Sequence, residues 1–189
     1  MILDSLRQEH RNLEKLLLVL ERELDVFDRG ERPDYQVIHA IIAYFLVYPH
    51  AYHHPQEDIV FEKLKARDPA AAANIGDLAA EHQSGAKRLQ RVAQAVECVL
   101  SDREIRRETV HGIIRDFIEH ERAHIAMEDR DFFPAAVKAL QRQDWAEIAS
   151  RLTDRKDPLF SETIEERFDA VRRHILQLEQ EAEAERACC

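Results

Sequence analysis

The sequence predicts an all-α protein: an up-down-up-down four-helix bundle over residues 1–142, followed by a C-terminal helical extension over residues 143–189 that packs on the bundle or on a partner chain. Three observations predict it. Only four of the 189 residues are glycine, and Ala, Leu, Glu, Arg and Gln are abundant, the residues that lose least on entering a helix. Apolar residues recur at spacings of three and four, the period of one helix face. Short connections join long periodic stretches, and that makes successive helices antiparallel neighbours.

A first helix is expected from Ile2 to Asp28, its apolar stripe formed by Leu6, Leu13, Leu16, Leu17, Leu20 and Leu24, with Gly30 to Pro33 ending it. The second begins near Asp34 and runs through Ile38, Ile41, Ile42, Phe45 and Leu46. Pro49 and Pro55 distort it, because each removes a backbone donor and crowds the preceding turn, and it resumes through Asp58, Val60, Phe61 and Leu64. Asp68-Pro69 reads as a cap and first helical residue, but Gly76 weakens the next turn, so the third long helix is expected from Asp77 to Leu100. Ser101-x-x-Glu104 reads as a capping box opening the fourth, which carries Ile105, Ile113, Ile114, Phe117, Ile118 and Phe132 and is interrupted at Pro134. Asp144 to Leu152 forms a short helix. Ser161 caps the last one, in which Ile164, Phe168, Val171, Ile175 and Leu178 make an apolar face suited to a partner helix.

Charge narrows the partners. A formal net charge of −10 repels phosphate and acidic headgroups, so neither nucleic acid nor an anionic membrane is expected. No N-terminal basic-then-apolar segment and no run of about 18 apolar residues is present, and a cytoplasmic address is expected. Cys98, Cys188 and Cys189 do not form a spaced disulfide framework. The terminal pair reads as a frayed tail, with metal binding or a redox response as the alternative.

The chemistry lies in a duplicated pattern. Glu9-His10 is followed by His53-x-x-x-Glu57-Asp58, and Glu81-His82 by His124-x-x-x-Glu128-Asp129; the histidine gaps are 43 and 42 residues. In His-x-x-x-Glu the two side chains stand one helical turn apart on one face. His10 and His82 fall early in helices one and three, His53 and His124 late in helices two and four, so antiparallel packing brings all four to one end of the bundle. The candidate ligands are therefore His10, His53, Glu57, His82, His124 and Glu128. Imidazole with carboxylate and no thiolate suits iron, manganese or zinc. Two carboxylates can each bridge two ions, leaving room for a solvent bridge and an outside ligand.

Those residues, with His54-Pro55-Gln56, Ile59-Val60-Phe61 and Phe132-Phe133-Pro134 flanking them, resemble the hemerythrin-like HHE cation-binding domain over about residues 1–140. The resemblance implies a four-helix bundle with two iron ions and a solvent-derived bridge, held by the six residues just named. It also implies O₂ or NO binding, iron or redox sensing, or iron donation and repair. One departure stands out. Oxygen-carrying hemerythrins have a His-x-x-x-His pair on the third helix, whereas His82 is flanked at those spacings by Leu78 and Ala86, which argues against reversible O₂ transport.

Neighbouring residues leave alternatives open. His120, one turn before His124, is a candidate fifth nitrogen, a hydrogen-bonding neighbour or a surface residue. His54 with Asp58 offers a competing pair turned roughly 100° from His53, and Asp58 or Asp129 could replace the glutamates. His50 is expected near the site without binding, Glu14 as a solvated or supporting acid, and His174 at the surface. His39 and His111 lie about 20 Å along their helices from His53 and His124, too far to contribute. Gly85 and Ala86 leave space beside His82. Tyr44, Tyr48 and Tyr52 line the approach to His53, as packing groups or as contacts to a ligand or electron. A metal- or gas-binding protein taking O₂ or NO is favoured over a dedicated enzyme. The alternatives are an oxidoreductase acting on peroxide, NO or O₂ with an unnamed electron donor, an iron donor, and a zinc-binding or metal-free bundle, with homodimerisation through the last helix open. A ferritin-like reading of Glu121-x-x-His124 is disfavoured, because helix two has no matching Glu-x-x-His and the repeated His-x-x-x-Glu runs in the opposite order.

Overall fold

In the computed structural model, which describes residues 2–152, 157–160 and 168–187, the leucine stripe of the first segment is the inner face of α1 (Ile2–Asp28). Leu6, Leu16, Leu17, Leu20 and Leu24 are almost wholly buried. α2 (Tyr35–Tyr48) starts where the Asp34 side chain accepts from the backbone N–H groups of Gln36 and Val37. The Asp34 N–H itself donates to Glu23 Oε2 at 2.7 Å, which ties the turn back to α1. Asp68 and Asp77 cap α4 (Pro69–Ile75) and α5 (Leu78–Leu100) in the same way, each such cap contributing about 1 kcal/mol.

The expected disruption at Pro49 and Pro55 takes the form of a widened turn. α2 runs into a π-helical segment, π1 (Pro49–His53), and then into α3 (His54–Arg67). The His54 N–H reaches back to Pro49 O, and Pro55 has no N–H with which to resume the ordinary ladder at once. The fourth long helix does likewise. α6 (Arg107–Met127) passes into π2 (Glu128–Phe132) and α7 (Phe133–Ala139), with the Phe133 N–H on Glu128 O and Pro134 next in line. Neither proline breaks its helix, because the wider turn absorbs the missing donor.

The capping box expected at Ser101 and Glu104 does not form. Ser101 ends α5: its N–H serves Glu97 O and its hydroxyl donates to Glu97 Oε1. Asp102, at φ 50°, turns the chain away, and α6 begins five residues later behind Arg106 with no side-chain cap. A capping box occurs at α8 (Arg142–Arg151), between Gln141 and Asp144. Asp144 is also gripped by Arg67 at 2.9 Å through both Nε and an Nη, which fastens α8 to α3.

α1 packs on α2 and α6, and α5 packs on α2, α3 and α6, closing a four-helix bundle. α9 (Asp169–Ala187) lies across α1 and α2. Phe168, Val171, Ile175 and Leu178 are buried there in the same core cluster as the leucines of α1. The apolar stripe, expected to pack on the bundle or on a partner chain, lies against the bundle of this chain. Ser161, Ile164, Cys188 and Cys189 lie outside the described residues. No described residue belongs to a strand, and no described helix is long and apolar enough to cross a membrane.

The core is divided in two. One cluster runs from Leu13 through Ile41, Phe45, Val92 and Phe117, and the other holds Leu3, Leu6, Val60, Leu64, Phe132, Phe133 and Ile148. Between them, on the inner faces of the four long helices, lies a layer of buried histidines and glutamates.

Candidate metal centre

That layer needs an explanation, because buried charge is costly unless it is paired or coordinated. Glu57 and Glu128 are completely buried, and His10 and His53 are 1% exposed. His10 rises from α1, His53 from π1, His54 and Glu57 from α3, His82 from α5, His124 from α6 and Glu128 from π2. Two groups of donors form: His10, His53, Glu57 and Glu128, and His54, Glu57, His82 and His124, each with its donor atoms within 4.8 Å of one another.

Each carboxylate turns one oxygen to each group. Glu57 Oε1 lies 3.2 Å from both His10 Nε2 and His53 Nε2, while its Oε2 lies 3.5 Å from His82 Nε2. Glu128 Oε2 is 3.3 Å from His10 Nε2, and its Oε1 is 3.4 Å from His124 Nε2 and 3.7 Å from His82 Nε2. Donors at about 2.1 Å from a shared ion and 90–110° apart stand about 3.0–3.4 Å from one another, so these separations suit coordination. Glu57 Oε2, both Glu128 oxygens, His82 Nε2 and His124 Nε2 are buried without a hydrogen-bond partner. Metal ions held by the two groups would satisfy them.

The opposite ring nitrogens meet carboxylates. His53 Nδ1 donates to Glu9 Oε2 at 2.7 Å, His10 Nδ1 to Asp129 Oδ1 at 3.2 Å, and His82 Nδ1 stands 3.2 Å from Asp58 Oδ1 in a less aligned contact. Such partners fix ring orientation and raise ligand basicity. His10 also stacks on Phe133, with ring centroids 5.3 Å apart.

The electrostatics are those of a pocket seeking positive charge. Burial lowers the pKa of His10, but hydrogen bonds to Glu128 and Glu57 outweigh it and carry the group up to about 9. His53, desolvated but facing Glu57 and Glu9, rises to about 10, and His82, desolvated but facing Asp58, Glu128 and Glu57, to about 11. These shifts mark a position that favours positive charge, and a metal ion held there would compete with protons for it. Burial, followed by the charges of His82 and His53, holds His54 well below its ordinary value, and burial depresses His124. Both therefore present neutral lone pairs.

The profile of the hemerythrin HHE cation binding domain matches residues 1–136. The chain belongs to that family. The family's description names cation binding, and the two donor groups of this chain are positioned so that they could hold a metal. Comparison with curated proteins and with solved structures gave no significant match.

Within this domain the structure brings His10, His53, Glu57, His82, His124 and Glu128 together and adds His54 as a full member of the second group. The sequence carried a signal for it. Glu57 is four residues after His53 and three after His54, so both imidazoles flank one carboxylate; π1, which ends at His53, widens the turn just before them. His54 therefore enters the second group while His53 enters the first, with Glu57 common to both, and Asp58 turns to His82 instead of pairing with His54. His120 belongs to neither group; its ring lies parallel to that of His124 at 6.3 Å. His50 and His39 are exposed. His111 faces Asp28 at 2.6 Å, and Glu14 faces Arg122. His174 is only partly exposed and lies 3.6 Å from Glu23. Tyr44 is buried, donating its hydroxyl to Asp157 Oδ2 at 2.7 Å and stacking on Tyr48, which in turn meets Tyr52. Sequence reasoning gave no role to Glu9 as the support of His53.

Proposed function

We propose that the domain is a non-haem di-iron protein that binds O₂ or NO. His10 and His53 hold one ion, His54, His82 and His124 hold the other, and Glu57 and Glu128 are shared. The observation that supports this reading is that each buried carboxylate divides its two oxygens between the two donor groups. Imidazole-rich, carboxylate-bridged donors without thiolate favour iron, with manganese and zinc as competitors.

Ferrous iron held by these residues would supply an electron-rich centre suited to a neutral diatomic molecule. The chain's own contribution is to hold the imidazoles in place through Glu9, Asp129 and Asp58 and to exclude bulk water with the two apolar clusters above and below.

The test is to purify the protein under iron supplementation, count metal per chain, and record the visible spectrum of the reduced form before and after O₂ or NO. Two irons per chain and a ligand-dependent spectrum are expected. His53→Ala and His124→Ala should lose iron while remaining helical, and His39→Ala should keep it. Fresh protein that takes up no iron would refute the reading.

A further inference from the structure

A cavity of about 110 Å³ lies between α2, α5 and α6, lined by Phe45, Pro49, Gly85, Ala86, Leu89 and Phe117 along its sides, with Leu46 and His50 at its outer rim. Leu46 and His50 are exposed, so the cavity opens outward. Two further lining residues, His54 and Glu121, are its most deeply set polar groups, and His54 belongs to the second donor group. The cavity therefore joins the surface to the metal centre. Its size admits a molecule of a few heavy atoms, a liquid water occupying about 30 Å³, and its walls are mostly apolar.

Glu121 has no part in either donor group. Its side chain is 6% exposed, and no hydrogen bond or ion pair to another described residue satisfies its carboxylate. The sequence makes room for it: a Cβ added at Gly85 would stand 2.6 Å from Glu121 Oε1, so any larger residue at position 85 would displace the acid. A costly buried carboxylate, given space by a helical glycine at the edge of a cavity reaching the metal centre, calls for a role.

We propose that this cavity is the access route for the small ligand of the metal centre and that Glu121 selects at its inner end for neutral molecules over anions. The proposal rests on the di-iron reading above. A fixed negative charge in a low-dielectric passage repels an anion strongly and leaves an uncharged diatomic molecule unaffected. Burial, reinforced by the charge of Glu128, raises the Glu121 pKa to about 7 against the pull of His82, His53 and Arg88, so the acid is largely ionised at pH 8.5.

The experiment uses the iron-loaded full chain at pH 8.5 and measures association rates by stopped-flow absorbance, with NO on the ferrous form and azide on the ferric form as probes. Glu121→Gln should raise the azide rate at least tenfold and leave the NO rate within twofold. Ala86→Leu, which fills the passage from its partly exposed side, should slow both probes at least tenfold. Iron content and helix content are measured on every variant. Unchanged azide rates in Glu121→Gln, or unchanged rates for both probes in Ala86→Leu, with two irons still bound, would overturn the proposal. Absence of iron from the unmodified protein would instead overturn the di-iron reading on which it stands.

Discussion

Replacing the three carboxylates behind the histidines, one at a time, should weaken metal binding in a definite order. Glu9→Gln removes a charge 2.7 Å from His53 Nδ1 at a side chain that is 13% exposed. Asp129→Asn acts at 3.2 Å from His10 with the acid 40% exposed, and Asp58→Asn at 3.2 Å from His82 with the acid 46% exposed and less well aligned. Partners of this kind typically contribute 10- to 100-fold in metal affinity, or about 1.4–2.7 kcal/mol. Shorter distance and lower exposure strengthen the interaction, because water screens the exposed acids. The upper end is therefore expected for Glu9→Gln, and roughly 10-fold or less for Asp129→Asn and Asp58→Asn. Competition against a chromophoric chelator, run anaerobically with ferrous iron and separately with zinc, measures all three. Added salt should shrink the two aspartate effects more than the glutamate effect. The reasoning fails if Asp58→Asn costs as much affinity as Glu9→Gln, or if none of the three changes it by threefold.

The same geometry sets three further outcomes. The Glu121 pKa, raised from 4.5 to about 7, means that ionising the acid opposes folding; the penalty is absent below pH 4.5, grows up to pH 7 and is constant above it. Metal-free Glu121→Gln should thus exceed the unmodified protein in stability by up to about 3 kcal/mol at pH 8 and match it near pH 4, as read by urea unfolding. Phe133→Ala, which empties a wholly buried site and removes the ring stacked on His10, should cost about 3–5 kcal/mol, seen as a lower urea midpoint. Asp144→Ala removes the acid shared by the Arg67 clamp and the α8 cap; about 2 kcal/mol is expected from lost charged hydrogen bonds and a lost cap, with iron content unchanged.

Much of this arrangement is legible in the chain. The leucines of α1 and the Asp34, Asp68 and Asp77 caps announce their helices locally, and the twofold Glu-His and His-x-x-x-Glu pattern places six donors on inward faces because helical spacing and antiparallel order are nearly sufficient to do so. The start of α6 is misread for a local reason: Ser101 and Glu104 have the capping-box spacing, but the Ser101 N–H and hydroxyl are both committed to Glu97 in the preceding helix. His54 reads as a rival to His53 because consecutive residues on a regular helix point about 100° apart. Glu57 lies within one turn of both, so the two rings serve different donor groups that share that carboxylate. Glu121 reads only as half of a motif that helix two does not complete, since the space that accommodates it comes from Gly85 on another helix, a pairing that no spacing along the chain reveals.

The cross-support between the repeats bears on how far the chain can be shortened. Asp129 in the second repeat steadies His10 in the first, and Asp58 in the first faces His82 in the second. Each repeat contains a His-x-x-x-Glu of its own, yet neither donor group is drawn from a single repeat. The unit that grips a cation is thus the pair of hairpins: truncation to either one would leave imidazoles deprived both of co-ligands and of the acids that aim them.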